Sequence, residues 1–253
     1  MLFRSKFAAV PLAFAEMVRH LALVETVQML VEDRILQEKA RRLLHRVGVD
    51  LRRVEFHKVR TDRSWLRDSA PAFVVATGGE RRAVCWRFNA WAKYDNWKKD
   101  VRVSEGIARI AKVPACRPEV NGRPVVLEGG AIDVDGDGTL LCTEECLLSD
   151  VQARNPGLGR HEIEAVFREH LGVRKVLWLG DGIAGDDTHG HIDDLCRFVA
   201  PETVVLCTET NSADDNYRAL AENRERLEGA RDAQGRRIEV IALPMPAPLF
   251  FDG

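Results

Sequence analysis

VVLEGGAIDVDGDGTLLCTEECLL, residues 125–148, can be read in two ways that lead to different folds. Asp133, Asp135, Asp137, Gly138 and Glu144 fit the spacing of an EF-hand calcium loop, and Leu140 fills its apolar position. An EF-hand, however, needs a helix on either side. Here the incoming side is Val125-Val126-Leu127-Glu128-Gly129-Gly130, a strand-like run broken by two glycines. Residues 131–134 and 139–142 alternate like strands, and Asp135-Gly136-Asp137-Gly138 has the chemistry of a hairpin turn. The stretch therefore predicts a β-hairpin in an α/β protein. Glu128 ends the strand before it, and the glycines behind Glu128 let backbone or ligand come close.

Outward from that hairpin the pattern repeats. Towards the C-terminus it predicts a helix over 161–171 stopped by Gly172, and a strand over 173–179. A hairpin over 196–207 turns at Pro201-Glu202, followed by a charged amphipathic helix over 214–227 and a strand over 238–243. Towards the N-terminus lie a helix over 103–112 and a hairpin of 72–76 with 82–88. Pro71 lacks an N–H and biases Ser69-Ala70 towards extended geometry. Residues 51–59 and 26–31 read as strands, and 32–47 as a helix ended by Gly48. Residues 7–23 read as an amphipathic helix with Met17, Val18 and Leu21 on its apolar stripe. Arg4, Lys6 and Ala13-Phe14-Ala15 there also mimic a short signal peptide, against which Glu16, Arg19 and His20 argue. Strand, hairpin, helix and strand recur at intervals of about 60 residues, as in units repeated around an axis.

Composition narrows the function. The 253 residues are 45% hydrophobic, enough for a sizeable core. With 39 acidic and 37 basic residues the net charge is −2, without the basic excess of a nucleic-acid binder. No apolar run reaches the roughly 20 residues that span a bilayer. Six scattered cysteines without a C-x-x-C pair predict reduced, mostly buried thiols in a cytoplasmic protein.

The chemistry-bearing stretch is DTHGHIDD, residues 187–194. On a strand, His189, His191 and Asp193 would share one face. That spacing suits a metal site of zinc or iron type, but the other five histidines lie mostly on predicted helix faces or ends, leaving a two-metal site short of ligands. An acid–base site asks less: His191 with Asp193, joined by Asp68 and Glu128 from two other strand-end loops. One imidazole and three carboxylates make an anionic cavity suited to a planar guanidinium, on which Trp65 could stack. The aromatic run over 89–97, with Trp91, Tyr94 and Trp97, reads as a pocket lining or as a loop stapled by its aromatics, the second being favoured.

Five ordered motifs, SWLRDSAPAFVV, LEGGAIDVDGDGTLLCTEECLL, ARNPGL, GDDTHGHIDDLCRFV and LPMPAPLFF, together resemble the agmatine deiminase family. These enzymes are related to bacterial-type peptidylarginine deiminases among the guanidino-group-modifying enzymes. The resemblance implies a five-fold pseudosymmetric α/β propeller of ββαβ repeats, with residues 1–253 forming a single, incomplete propeller domain. It implies that Asp68 and Asp193 bind the guanidinium of agmatine, that His191 is the general acid–base, that Glu128 holds the guanidinium and orients His191, and that Trp65 lines the channel. A cysteine thiolate would attack the guanidinium carbon, ammonia would leave, and water would release N-carbamoylputrescine, as in putrescine biosynthesis, without metal or organic cofactor. The family's nucleophile lies in a C-terminal glycine-rich loop that this sequence does not show, so no turnover is expected of the chain as it stands. Ala70 also replaces the family's usual glycine. A small cationic guanidine is the expected partner, with no nucleic acid or membrane, and with strand edges that could support a homo-oligomer. Other readings are peptidylarginine deiminase-like activity, a metal-dependent hydrolase using His189, His191 and Asp193, or a non-catalytic guanidine-binding remnant.

Overall fold

The computed structural model describes residues 9–247. The chain divides into two compact units between Arg63 and Ser64. In the first, helix α1 (Val10–Leu21) leads to strand β1 (Val27–Val31), helix α2 (Arg34–Arg46) and strand β2 (Val54–Lys58), which pairs in parallel with β1. The Asp33 carboxylate caps α2 by accepting from the Leu36 N–H at 2.8 Å. Ala15, Val18 and Ala22 pack with Leu44, Val49 and Val54. The expected stripe is thus shifted: Val18 is buried, but Met17 and Leu21 are exposed. The beginning of the predicted 7–23 helix lies outside the described residues, as does the end of the LPMPAPLFF motif from residue 248 on. Residues 51–53, read as strand, form a 3-10 turn that delivers the chain into β2.

The second unit is built from one plan used three times. A single helical turn, α3 (Leu66–Ser69), precedes strand β3 (Ala72–Val75), which forms an antiparallel hairpin with β4 (Arg81–Val84). Helix α4 (Val103–Ala111) then crosses over to β5 (Ala115–Cys116), parallel to β4. After a short ribbon of β6 (Glu119–Val120) and β7 (Arg123–Pro124), the plan returns. Strand β8 (Asp133–Val134) pairs antiparallel with β9 (Thr139–Thr143), helices α5 (Glu144–Leu148) and α6 (Arg160–Leu171) cross over, and β10 (Lys175–Leu179) lies parallel to β9. Last, β11 (Cys196–Ala200) pairs antiparallel with β12 (Thr203–Thr208), and α7 (Tyr217–Leu227) leads to β13 (Glu239–Pro244), parallel to β12. The opening strands begin at residues 72, 133 and 196, the spacing the sequence pattern suggested. A hairpin needs only a tight turn, whereas the third, parallel strand needs the helical crossover.

Two apolar clusters join the modules. Leu140 and Cys142 on one face of β9 pack with Val84, Trp86, Ile132 and Phe167. Leu141, on the other face, packs with Leu179, Ile192, Leu206 and Leu220. All five residues of β9 are buried, so in place of the alternation expected of residues 139–142 the strand is packed on both faces. The 135–138 segment is the hairpin turn the flanking strands required. Asp135 folds back there to accept from the N–H groups of Asp137 and Thr139 at 2.7 and 2.9 Å.

A helical turn leads into each module: Leu66–Ser69, Gly129–Ala131 and Ile192–Asp194. The first touches the second and the second touches the third. Asp68, Glu128 and the His191–Asp193 segment therefore sit at equivalent places in the three repeats. Pro71 leaves only Ala70 extended (ψ 160°); Ser69, also expected to be extended, closes the first turn. Asn223 of α7, itself wholly buried, fixes the last loop, accepting from the Gly180 N–H and donating to the Asp181 carbonyl, both at 2.7 Å. Asn223→Ala should cost about 1–3 kcal/mol of stability in urea denaturation, because it strands the buried Gly180 N–H.

Candidate active site

The segment quoted as 187–194 is not a strand. Its backbone turns left-handed at His189 (φ 63°) and Gly190 (φ 82°), and Ile192–Asp194 is a 3-10 turn. Asp186 organises this loop. One of its oxygens accepts from the Thr188 N–H and hydroxyl at 2.7 and 2.6 Å, and the other from the N–H groups of Gly190 and His191 at 2.8 and 3.0 Å. Gly190 is needed for its positive φ and because a Cβ there would lie 2.7 Å from Glu145 Oε2. The expected shared face of His189, His191 and Asp193 is thereby lost. His189 turns towards Glu145, with Nδ1 3.4 Å from Oε1, and towards the Ser149 hydroxyl at 3.3 Å.

His191 goes the other way and is 2% exposed. Its Nδ1 lies 3.9 Å from Asp68 Oδ1 and 3.8 Å from Asp193 Oδ1, while Nε2 lies 3.7 Å from Glu128 Oε2. These are ion-pair separations, longer than hydrogen bonds, and Nε2 has no hydrogen-bond partner. Burial opposes the imidazolium, but the Glu128, Asp68 and Asp193 carboxylates outweigh it and raise the His191 pKa above its ordinary value. Four of the residues expected to form the site thus meet in one place. Trp65, the fifth, is the N-terminal neighbour of α3 and is 58% exposed.

Asp68 is held at both oxygens. Oδ1 accepts from the Gly130 N–H at 3.0 Å and Oδ2 from the Trp91 indole at 3.1 Å. A Cβ on Gly130 would fall 2.6 Å from His191 Nδ1, 2.8 Å from Asp68 Oδ1 and 3.0 Å from Asp193 Oδ1. The second glycine of the Glu128-Gly129-Gly130 run therefore occupies the point on which the three side chains converge. Trp91 was legible in the sequence only as one of several aromatics. It sits between Ala90 and Ala92 with φ of 52°, 60° and 52° along the three, a left-handed run that costs non-glycine residues about 1–2 kcal/mol each. Packing of Phe88 and Tyr94 edge-on to its ring, and the bond to Asp68, offset that strain. Lys93 and Tyr94 tie the same loop to Asp187, with Nζ and Oη 2.6 and 2.8 Å from its oxygens. The aromatic run is a staple, as favoured from its composition.

Glu128 has no exposure at all. Burial is the largest single influence on it and would raise its pKa, yet His191 and Arg154 together more than offset this and hold it below the ordinary value. Asp68 and Asp193 are instead pushed up, chiefly by burial. Asp194, whose side chain still reaches solvent, is pushed up to about 6 by partial burial and by the charges of Asp186 and Asp193. Beside Asp193 lies Arg67, with Nε 3.8 Å from Oδ2.

The metal-site expectation is corrected in the same geometry. Among the described residues, the potential ligand atoms that approach one another within 4.8 Å belong to Glu128, Cys146 and His191, not to His189, His191 and Asp193. Both Glu128 oxygens already lie 3.3 Å from Arg154 Nε, so that carboxylate has its cation. Burial also drives the Cys146 thiol far above its ordinary range. All six cysteines are free, and burial raises every one of their pKa values, Cys196 to about 12. Burial is the largest influence on each and favours the neutral thiol over the thiolate.

Over residues 1–253 the chain matches the family described as Porphyromonas-type peptidyl-arginine deiminase. It is 41% identical over 210 residues to an agmatine deiminase of Pseudomonas fluorescens, covering 81% of this chain and 55% of that one. It is 42% identical over 209 residues to one of Ectopseudomonas mendocina, again covering 81% and 55%. The chain therefore spans about half the length of these relatives. Its fold matches the agmatine deiminase of Enterococcus faecalis with a TM-score of 0.86 at 34% identity, over 98% of this chain and 66% of that one. A C. jejuni agmatine deiminase with substrate bound matches with a TM-score of 0.80 at 26% identity, over 97% and 68%. The chain belongs to the Porphyromonas-type peptidyl-arginine deiminase family.

Proposed function

We propose that this chain carries the guanidinium-binding and acid–base residues of an agmatine deiminase-type hydrolase, which converts agmatine and water to N-carbamoylputrescine and ammonia in polyamine metabolism. The observation that carries this reading is the buried His191 set within 4 Å of Asp68, Glu128 and Asp193. In this reading Asp68 and Asp193 take the two sides of the substrate guanidinium, and Trp65 lines the path to them. Glu128 holds the cation from beneath and keeps His191 in its protonated form. A thiolate attacks the guanidinium carbon, and the imidazolium gives its proton to the departing ammonia. Neutral His191 then takes one proton from water, whose oxygen bonds to carbon; as the C–S bond breaks and the carbonyl forms, the second proton of that water passes to solvent, leaving the thiolate and the imidazolium. The six cysteines described above do not supply that thiolate. The three ββαβ modules with their matching lead-in turns support a propeller arrangement for the whole protein as one domain. A cytoplasmic location and a homo-oligomer belong to the same reading.

A cavity whose carboxylates are pushed up by burial gains by taking in a cation. The sign follows directly. Asp68, Asp193 and Asp194 must give up protons to receive the guanidinium, so binding releases protons and weakens as pH falls through the range where they protonate. Calorimetry of agmatine binding at pH 7 and pH 5, in buffers of different ionisation enthalpy, should show tighter binding at pH 7 and proton release at pH 5. Binding that is independent of pH would sink the assignment of these carboxylates.

Variants separate the roles. Asp68→Asn should weaken agmatine binding at least about 30-fold, the usual loss when one partner of a buried charge pair is removed. Gly130→Ala should reduce binding comparably and also lower the melting temperature, since its methyl would fall on the buried His191 and Asp68 side chains. In a form of the protein that releases ammonia from agmatine, His191→Gln should cut kcat by about 100-fold or more and change KM far less. Ammonia release from peptidyl-arginine in preference to agmatine would move the substrate to the one named in the family's description.

A further inference from the structure

We infer that Arg154 is a positioning residue for this site, a buried guanidinium that locks Glu128 in place and joins it to the loop carrying His191. Its side chain is wholly buried, and its Nε lies 3.3 Å from each Glu128 oxygen. Nη1 donates to the Gln152 carbonyl at 3.0 Å, and Nη2 donates to the carbonyl of Thr188, three residues before His191. One fork therefore spans the two segments whose side chains, Glu128 and His191, face each other. The next residue completes the clamp. Asn155 accepts from the Val126 N–H at 2.8 Å and donates to the Val126 carbonyl at 2.7 Å, pairing with the strand end two residues before Glu128. The adjacent Arg154 and Asn155 thus hold Glu128 and Val126 respectively.

The charge matters as much as the bonds. A carboxylate with no exposure is ionised only when its surroundings compensate it. Around the Glu128–His191 pair the charged and titratable groups are Asp68, Asp193, Asp186, Asp194, Cys146 and Arg154. Arg154 is the cation on the Glu128 side. A lysine would keep its charge, but it has no planar fork to reach one carboxylate and two carbonyls together. Removing the charge should make the pair hold its proton more tightly, so that the His191 titration moves upward. Keeping the charge but losing the fork should leave that titration in place.

The inference rests on the proposed roles of Glu128 and His191, but its test does not require turnover. In the full chain labelled with 15N at histidine, the His191 ring is assigned by the signal missing from His191→Gln and titrated in wild type, Arg154→Lys and Arg154→Gln. Expected are an upward His191 shift of about one pH unit or more in Arg154→Gln and a change within about 0.3 in Arg154→Lys. A His191 titration unchanged in folded Arg154→Gln would overturn the inference. If Arg154→Gln does not fold, Glu128→Gln is added to it. Rescue of folding supports Arg154 as the counter-charge of Glu128, and failure to rescue overturns it. In the ammonia-releasing form, both limbs of the kcat/KM pH profile should move up in Arg154→Gln, while in Arg154→Lys they stay and kcat falls about 10-fold. Absence of agmatine binding by the wild-type protein, with the His191 shift as expected, would sink the guanidine-binding reading and leave the role of Arg154 standing.

Discussion

The site depends on how a carboxylate with no access to water is kept charged. Glu128 is enclosed entirely, and an isolated carboxylate in that position would take up a proton. Two cations prevent it, the Arg154 guanidinium on one side and the His191 imidazolium on the other. The same arrangement favours the imidazolium of His191 in a place where burial alone would oppose it. Each group favours the ionised form of the other, so neither residue has its properties without the fold that brings them together.

That fold reaches the site by repetition. Three ββαβ modules each begin with a turn of helix, and the first turn contacts the second as the second contacts the third. Asp68, Glu128 and the His191–Asp193 segment hang from those turns, so three stretches separated by about 60 residues of sequence converge without any long loop. Convergence this close requires a gap, and Gly130 supplies it by lacking the Cβ that would strike His191, Asp68 and Asp193. The scaffold around the turns is polar and short-ranged: Asp186 inside its own loop, Trp91 on Asp68, and Asn223 on the loop at Gly180 and Asp181.

Rigidity of this kind has an electrostatic consequence. Asp68, Asp193 and Asp194 are pushed towards protonation because they are crowded together and partly shut off from water. A planar cation with several N–H donors relieves that crowding in a way that a spherical ion matched to fewer oxygens does not. Arg67 already lies alongside Asp193, so a guanidinium group is compatible with the local geometry.

The sequence by itself determined the elements and most of the site. The hairpin at 135–138, the alternation of strands with crossover helices and the choice of Asp68, Glu128, His191 and Asp193 all follow from local pattern, turn chemistry and family resemblance. These are short-range properties, carried by residues next to one another in the chain. What tertiary structure decided was direction and partnership. A two-residue spacing put His189 beside His191 only if the backbone were a strand; Asp186 and the left-handed turn at His189 and Gly190 send them apart. Arg154 stood in a quoted motif with no role, and Trp91 in an aromatic run with several equivalent rings, because a hydrogen bond between residues 26 or 23 positions apart leaves no periodic trace. Which charges face one another inside a core depends on the folded arrangement of distant segments, and that arrangement makes Glu128 and His191 a working pair.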